Sequence, residues 1–333
     1  MASFIGRRKF LATLGGAAVT LPRIGFAQPA EKLRRIGIFA GSDENDARAR
    51  SHVAVFQREL ERLGWTQEHN VRIEHRWASD PERMPASAAE LVSRTPDVIL
   101  TTTNSALAAV HAQTASLPIV FVMASDPVGS GVAASHARPG GNVTGFTNFE
   151  PSIAGKWLEL LKEIAPSVKR VAIIVHPETP ASMMFQPAAE GAARWLGMQL
   201  TVAGVRDAGE IERAITTFAA DPNGALICTP HAVTGRHRKM ILALAERHRL
   251  PAIYPWRDYV EADGGLMSYG IDAADRYRHA ASYVDRILRG AKAGELPIQA
   301  PTKFELVINL KTAKALGLDV PAMLQQRADE VIE

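Results

Sequence analysis

From residue 34 onward, short apolar runs alternate with longer stretches whose apolar residues recur at helical spacing. RRIGIFAG (34–41) is a strand pattern closed by glycine. Over 46–63, Val53, Phe56, Leu60 and Leu63 share one helical face, and VRIEHRW (71–77) then alternates as a half-buried strand does. Residues 82–94 predict a helix and PDVILTTT (96–103) the next strand. The helix at 104–115 opens on Asn104, a residue suited to the N-cap. LPIVFVMA (117–124) and NVTGFTNF (142–149) add two strands. Strictly alternating strands and helices imply a parallel sheet covered on both faces.

The pattern then restarts. Helix 152–164 carries Ile153, Trp157, Leu160, Leu161 and Ile164 on one face. Strands at 169–177, 198–205, 224–230 and 250–255 alternate with helices at 181–196, 207–220 and 234–249. GGLMSYGID (264–272) predicts a further strand, followed by a helix over 273–289. PTKFELVINLKTAKALGL (301–318) predicts another strand and a short helix. The two α/β units share a pattern, not a sequence repeat. A helix and strand left over after the second unit imply that the chain crosses between two lobes more than once, and hinged lobes close around ligands.

The first residues do not follow the alternation. Arg7, Arg8 and Lys9 precede an apolar stretch from Phe10 to Leu21, and Gly25 and Ala27 suit a cleavage site. This pattern, with its paired arginines, predicts a twin-arginine-like signal peptide over 1–27 and a mature protein in the periplasm. The apolar stretch is too short for a permanent anchor. Removing its four cations, with no acid among them, takes the formal charge from +3 to −1. A nucleic-acid partner then loses its electrostatic basis. The one cysteine, Cys228, excludes an intrachain disulfide and a cysteine-based zinc site, and in ALICTP it reads as a buried inert thiol.

Candidate chemistry gathers at strand ends, where open α/β sheets hold their ligands. FVMASDPVGSGV (121–132) is one such end. It lacks the lysine and spacing of a P-loop, and its acid would repel a phosphate. It therefore reads as a turn at the rim of a cleft. Ser42 follows the first strand, Thr103 and Asn104 the third, and Ser125 and Asp126 the fourth. Thr147 and Phe149 lie at the first crossing. In the second unit, His176, Thr179, His231, Tyr254 and Trp256 follow strands, and Ser268, Tyr269 and Asp272 lie at the return crossing. The free N–H groups at Asn104 suit a carboxylate. Asp126 or Asp272 suits an ammonium, although each also suits a turn or helix cap. Tyr254 and Trp256 suit an apolar or flat side chain. His231 and His237 lack a third ligand at metal spacing, so no metal is expected.

Several segments resemble one family throughout residues 34–333: RRIGIFAGS, ELERLGW, NVRIEHRWA, PDVILTTT, SDPVGSGVAASHARPGGNVTGFTNFE, KWLELLKEIAP, HRLPAIYPWRDYVEADGGLMSYG and PTKFELVINLKTAKALGL. They resemble ABC-transporter substrate-binding proteins of the tryptophan and aromatic amino acid type. The resemblance implies a type I periplasmic binding protein fold: α/β, two doubly wound parallel-sheet lobes and a hinge of three crossings. Lobe 1 would span 31–148 plus 272–298, and lobe 2 149–270 plus 300–333. It implies a monomer that carries an amino acid or related zwitterion to the transmembrane subunits of an ABC permease, without a cofactor. A ligand sensor for a membrane receptor is the alternative, because one fold serves both tasks. An enzyme is disfavoured: no G-x-S-x-G elbow and no nucleotide fingerprint follows a strand.

Overall fold

The computed structural model describes residues 33–333; the signal-peptide expectation falls outside them. The chain builds two α/β lobes, each on its own twisted sheet. The first sheet takes β1 (Arg34–Ala40), β2 (Val71–Trp77), β3 (Val98–Thr101), β4 (Ile119–Ala124) and β5 (Val143–Thr147). Its order is β2-β1-β3-β4-β5 and every pairing is parallel. Helices α1 (Ala47–Arg62), α2 (Met84–Ser93) and α3 (Asn104–His111) are its connections. Asp46 caps α1 by accepting from the Arg48 and Ala49 amides. Thr103, not the expected Asn104, does the same for α3 from the Ala106 amide, while Asn104 is the first helical residue and its side chain accepts from the Ser125 amide; β3 therefore ends at Thr101, two residues before the expected end.

The chain then crosses to the second lobe. In order follow α4 (Ile153–Ile164), β6 (Arg170–Val175), α5 (Pro180–Met183), α6 (Gln186–Trp195), β7 (Gln199–Gly204) and α7 (Ala208–Ala219). Next come β8 (Gly224–Cys228), α8 (Ala232–Arg236), α9 (Arg238–Arg247), β9 (Ala252–Tyr254), α10 (Asp258–Glu261) and β10 (Met267–Ile271). The chain returns through α11 (Ala273–Leu288), which packs on α1 and the first sheet. It crosses again to β11 (Phe304–Asn309), α12 (Leu310–Leu316), α13 (Ala322–Arg327) and β12 (Glu330–Ile332). The second sheet has the order β12-β11-β10-β9-β8-β6-β7.

Each sheet is sandwiched between two apolar layers. Phe56 and Leu60 of α1 meet Tyr277 and Val284 of α11 on one face of the first sheet. Leu91, Leu107 and Val110 cover the other. In the second lobe, Trp157, Leu161 and Leu324 fill one face, and Ile211, Phe218 and Ile241 the other. Burying such side chains stabilises each lobe by about 1.5–3 kcal/mol per residue.

Three further sequence expectations change. The helix expected over 181–196 is two helices, because Pro187 lacks an N–H and begins a new one at α6. The helix expected over 234–249 starts earlier and breaks at His237, which caps both pieces. The second sheet is not wholly parallel: β11 runs antiparallel to β10. The short α10, α13 and β12 carry too few residues for periodicity to reveal.

Gly270, at the end of β10, leaves no room for a side chain: a Cβ there would collide with the Pro255 carbonyl. Gly191, inside α6, has open space around the same position. Gly270→Ala should therefore destabilise by about 1–3 kcal/mol. Gly191→Ala should be neutral or stabilising by up to about 1 kcal/mol. Thermal unfolding of the two variants checks the contrast.

Candidate functional site

The ends of β3, β4 and β5 are bound together by polar side chains. The Ser125 amide donates to Asn104 Oδ1 at 2.7 Å. Ser125 Oγ donates to Asn148 Oδ1 at 2.6 Å, and Asn148 Nδ2 donates to the Met123 carbonyl at 3.2 Å. Gly41 N donates to Thr102 Oγ1 at 3.1 Å, tying the end of β1 to that of β3. Ser42, just beyond, has a buried Oγ with no protein partner. Asp126 stands apart: it is exposed, in the left-handed region (φ 46°), and accepts from the Gly129 amide at 2.8 Å. Its carboxylate closes the SDPVG turn, the capping role the sequence also allowed.

In the second lobe, His176 and His231 stand at the ends of β6 and β8 and stack with ring centroids 4.5 Å apart. Thr179 Oγ1 lies between them, 3.0 Å from His176 Nδ1 and 3.2 Å from His231 Nε2. His231 also caps α8, its Nδ1 accepting from the Val233 amide at 3.2 Å. Burial, reinforced by His176, lowers the His231 pKa to about 4.

Aromatic side chains gather at the first crossing. Phe149 is buried and meets Trp256 edge-on at 4.8 Å, with Trp157 and Phe185 behind it. Thr147 donates its amide to the Gln299 carbonyl at 3.0 Å. Asp272 caps α11 through the Asp275 amide at 3.1 Å and pairs with Arg278 at 3.1 Å. Tyr269 stacks on Phe304. Tyr254 and Ser268 are not part of these groups. They sit side by side in the second sheet, Tyr254 buried against Tyr259, and burial raises the phenol pKa of Tyr254.

Sequence reasoning missed two charged residues that meet across the lobes, and a buried histidine beside them. Arg48, in the first turn of α1, places Nη1 3.1 and 3.2 Å from the two oxygens of Asp258, the first residue of α10. Its guanidinium carbon is 5.7 Å from the Trp256 ring centroid. His52, one turn along α1, stacks on Tyr277 at 5.2 Å. Burial first, then the charge of Arg48, lowers its pKa to about 4. Arg48 follows the end of β1 and Asp258 the end of β9, so the carboxyl ends of the two sheets face each other. Following each strand end into the next helix would have reached both residues.

Cys228 is buried, and desolvation pushes its thiol up to about 12. Among the described residues, no group of three or more His, Cys, Asp or Glu stands in position to hold a metal ion. Two surface cavities of about 580 and 450 Å³ lie along β7 and are lined by residues of the second lobe alone, such as Arg170, Phe218 and Asp221. They are separate from the facing strand ends. Among the described residues no helix is long and apolar enough to cross a membrane.

A family model described as ABC transporter substrate binding protein matches residues 37–332. A tyrosine-binding protein of Clostridioides difficile (strain R20291) is 24% identical over 264 residues, 79% of this chain and 75% of that protein. The ABC domain from Streptococcus pneumonia in complex with L-Trp superposes with a TM-score of 0.83 at 22% identity. The match covers 90% of this chain and 100% of that one. A substrate binding protein with adhesive properties from Clostridium difficile, in its ligand-free, open structure, gives a TM-score of 0.71 at 22% identity, covering 90% and 99%.

The two depressed histidines set an acid sensitivity. The unfolded chain takes up these protons near the ordinary value of 6.5, the folded chain only near 4. Both residues therefore favour the unfolded state progressively as pH falls from about 6.5 to 4, and contribute their full stability above that window. Melting temperature measured from pH 7.5 to 4 should fall, and His52→Gln or His231→Asn should flatten the slope. Asn keeps the helix cap at 231 while removing the titration.

Proposed function

Because this chain belongs to the family of ABC transporter substrate-binding proteins, we propose that it captures an amino acid, with an aromatic or branched side chain, between its lobes and delivers it to an ABC permease. The family consists of solute binders, not enzymes, and it works outside the cytoplasm. An N-terminal signal peptide over 1–27, removed on export to the periplasm, accords with that setting. The observation that carries the reading is the facing of two polar strand-end rims across an aromatic patch. Relatives named for tyrosine and solved with L-Trp support the same ligand class.

In this reading the lobes are 31–148 plus 272–298 and 149–270 plus 300–333, and the passages between them form the hinge. Phe149 and Trp256 offer the ligand side chain an apolar wall. The N-terminus of α3, beside Ser42 and Thr103, takes the carboxylate. Asp272, half-buried at a crossing, takes the ammonium in preference to the exposed Asp126, with the carboxylate that also caps α11 and pairs with Arg278. His176, Thr179 and His231 line the second lobe's rim and read the polar edge of the ligand. Ligand held by both rims binds the closed form better than the open one, so it shifts the population toward the shape the permease receives. The chain acts as a monomer.

A thermal-shift screen of the mature chain against the common amino acids tests this. An aromatic or branched amino acid at a hundred times its Kd should stabilise the fold by about 2.7 kcal/mol. Trp256→Ala should weaken that binding about tenfold, which calorimetry can read. A flat response to every amino acid, with a shift for a sugar or nucleoside instead, would overturn the ligand class.

A further inference from the structure

Arg48 is in an unfavourable place for its own helix. It lies in the first turn of α1, where the positive end of the helix dipole disfavours a cation. No acid of that turn offsets it, and Asp46 is occupied as the cap. The compensating charge comes from the other lobe. Asp258 receives two hydrogen bonds from Arg48 Nη1, and it is in turn an acid in the first turn of α10, where the dipole favours it. Both side chains are half-buried, 34% and 23% exposed. The Trp256 ring flanks the guanidinium. Arg238 stands 4.0 Å from Asp258 but is already engaged by Asp263 at 2.7 Å. Among the described residues the other ion pairs join groups of one lobe or lie at a crossing, so this pair is the ionic contact made when the lobes meet away from the hinge.

We propose that Arg48 and Asp258 form a latch that populates the closed shape of this protein before any ligand arrives. The proposal rests on the reading of the chain as a two-lobed binder and adds what regulates its cleft. Separating the lobes would return Arg48 to a helix end that repels it. It would also remove the cation from the Trp256 face. Closure thus relieves an unfavourable charge as well as making a favourable pair. A latch of this kind raises the fraction of binding-competent molecules, and apparent affinity rises in proportion to that fraction. It also makes closure salt-sensitive, because a half-buried pair is still partly screened.

Small-angle scattering of the ligand-free mature chain tests the latch without knowing the ligand. The wild type should be compact at 50 mM sodium chloride and expand as salt rises to 500 mM. Asp258→Asn, which keeps the side-chain shape, and Arg48→Asp should each expand the protein at low salt. The double reversal Arg48→Asp with Asp258→Arg should return toward the wild-type radius. A loss of helix dipole compensation alone would not be repaired by that swap. For any amino acid that the wild type binds, Asp258→Asn should lower affinity about threefold to tenfold. Identical scattering for wild type and both single variants, at both salt concentrations, would overturn the latch. So would a double reversal no more compact than the singles. Far-UV circular dichroism identifies a variant that has failed to fold, and the salt series on the wild type then decides alone. Scattering that follows these expectations beside a flat amino-acid screen would keep the latch and refute the ligand class.

Discussion

The hydrogen bonds around Gln299 fasten the last crossing to the first sheet. Its amide donates to the Gly145 carbonyl at 3.0 Å, and its carbonyl accepts from the Thr147 amide at 3.0 Å. The last crossing therefore lies along β5 as a short extra parallel bridge. Gln299 Nε2 reaches the Tyr283 hydroxyl at 2.9 Å, and that hydroxyl donates to the Pro297 carbonyl at 2.8 Å. Arg276, buried at the start of α11, donates to the Ala300 carbonyl at 3.3 Å. Segments far apart in sequence are thus joined where the chain leaves and re-enters each lobe. Main-chain groups at such a place have to be paired, because leaving them buried and unpaired costs about 1–3 kcal/mol each. This knot fixes where the last crossing leaves the first lobe.

Facing strand ends gather polar side chains, and most of those are already used. Asn104, Ser125 and Asn148 bind three strand ends to each other, and Thr179 bridges two histidines. These bonds make the rims rigid, which keeps ordering costs low when a small molecule is held between them. Rigidity within each rim and motion between rims are compatible, because the crossings carry the only continuous chain from one lobe to the other among the described residues.

Much of the fold was legible in the sequence because its cues are local. β1 and β6 read as unbroken apolar runs, and α4 shows its buried stripe directly. The break between α5 and α6 needed attention to Pro187, and β11 reverses direction with nothing in FELVIN to announce it. The site was less legible for a physical reason. Asp126 and Asp272 look alike in sequence, and a carboxylate that reads a ligand cannot be told there from one that accepts an amide in a turn or helix start, as these two do from Gly129 and Asp275. Tyr254 follows a strand as a rim residue does, but the register of β9 points it into the layer of Tyr259. Arg48 and Asp258, 210 residues apart, meet through tertiary structure alone, and no periodicity could pair them.

Trp256 connects these levels. One edge of its ring rests against Phe149 at the first crossing, and Arg48 of the opposite lobe lies over its face. Phe149 in turn abuts Trp157, whose indole N–H donates to the Tyr269 carbonyl at 2.7 Å, on the strand that leads into the return crossing. A single aromatic ring therefore touches the core of its own lobe, one hinge passage and the other lobe's charge. Any molecule that presses an apolar side chain against that ring also changes the dielectric around Arg48 and Asp258. Excluding water there strengthens their attraction. If the proposed site and latch hold, filling the cleft and closing it are one electrostatic event, not two separate contacts.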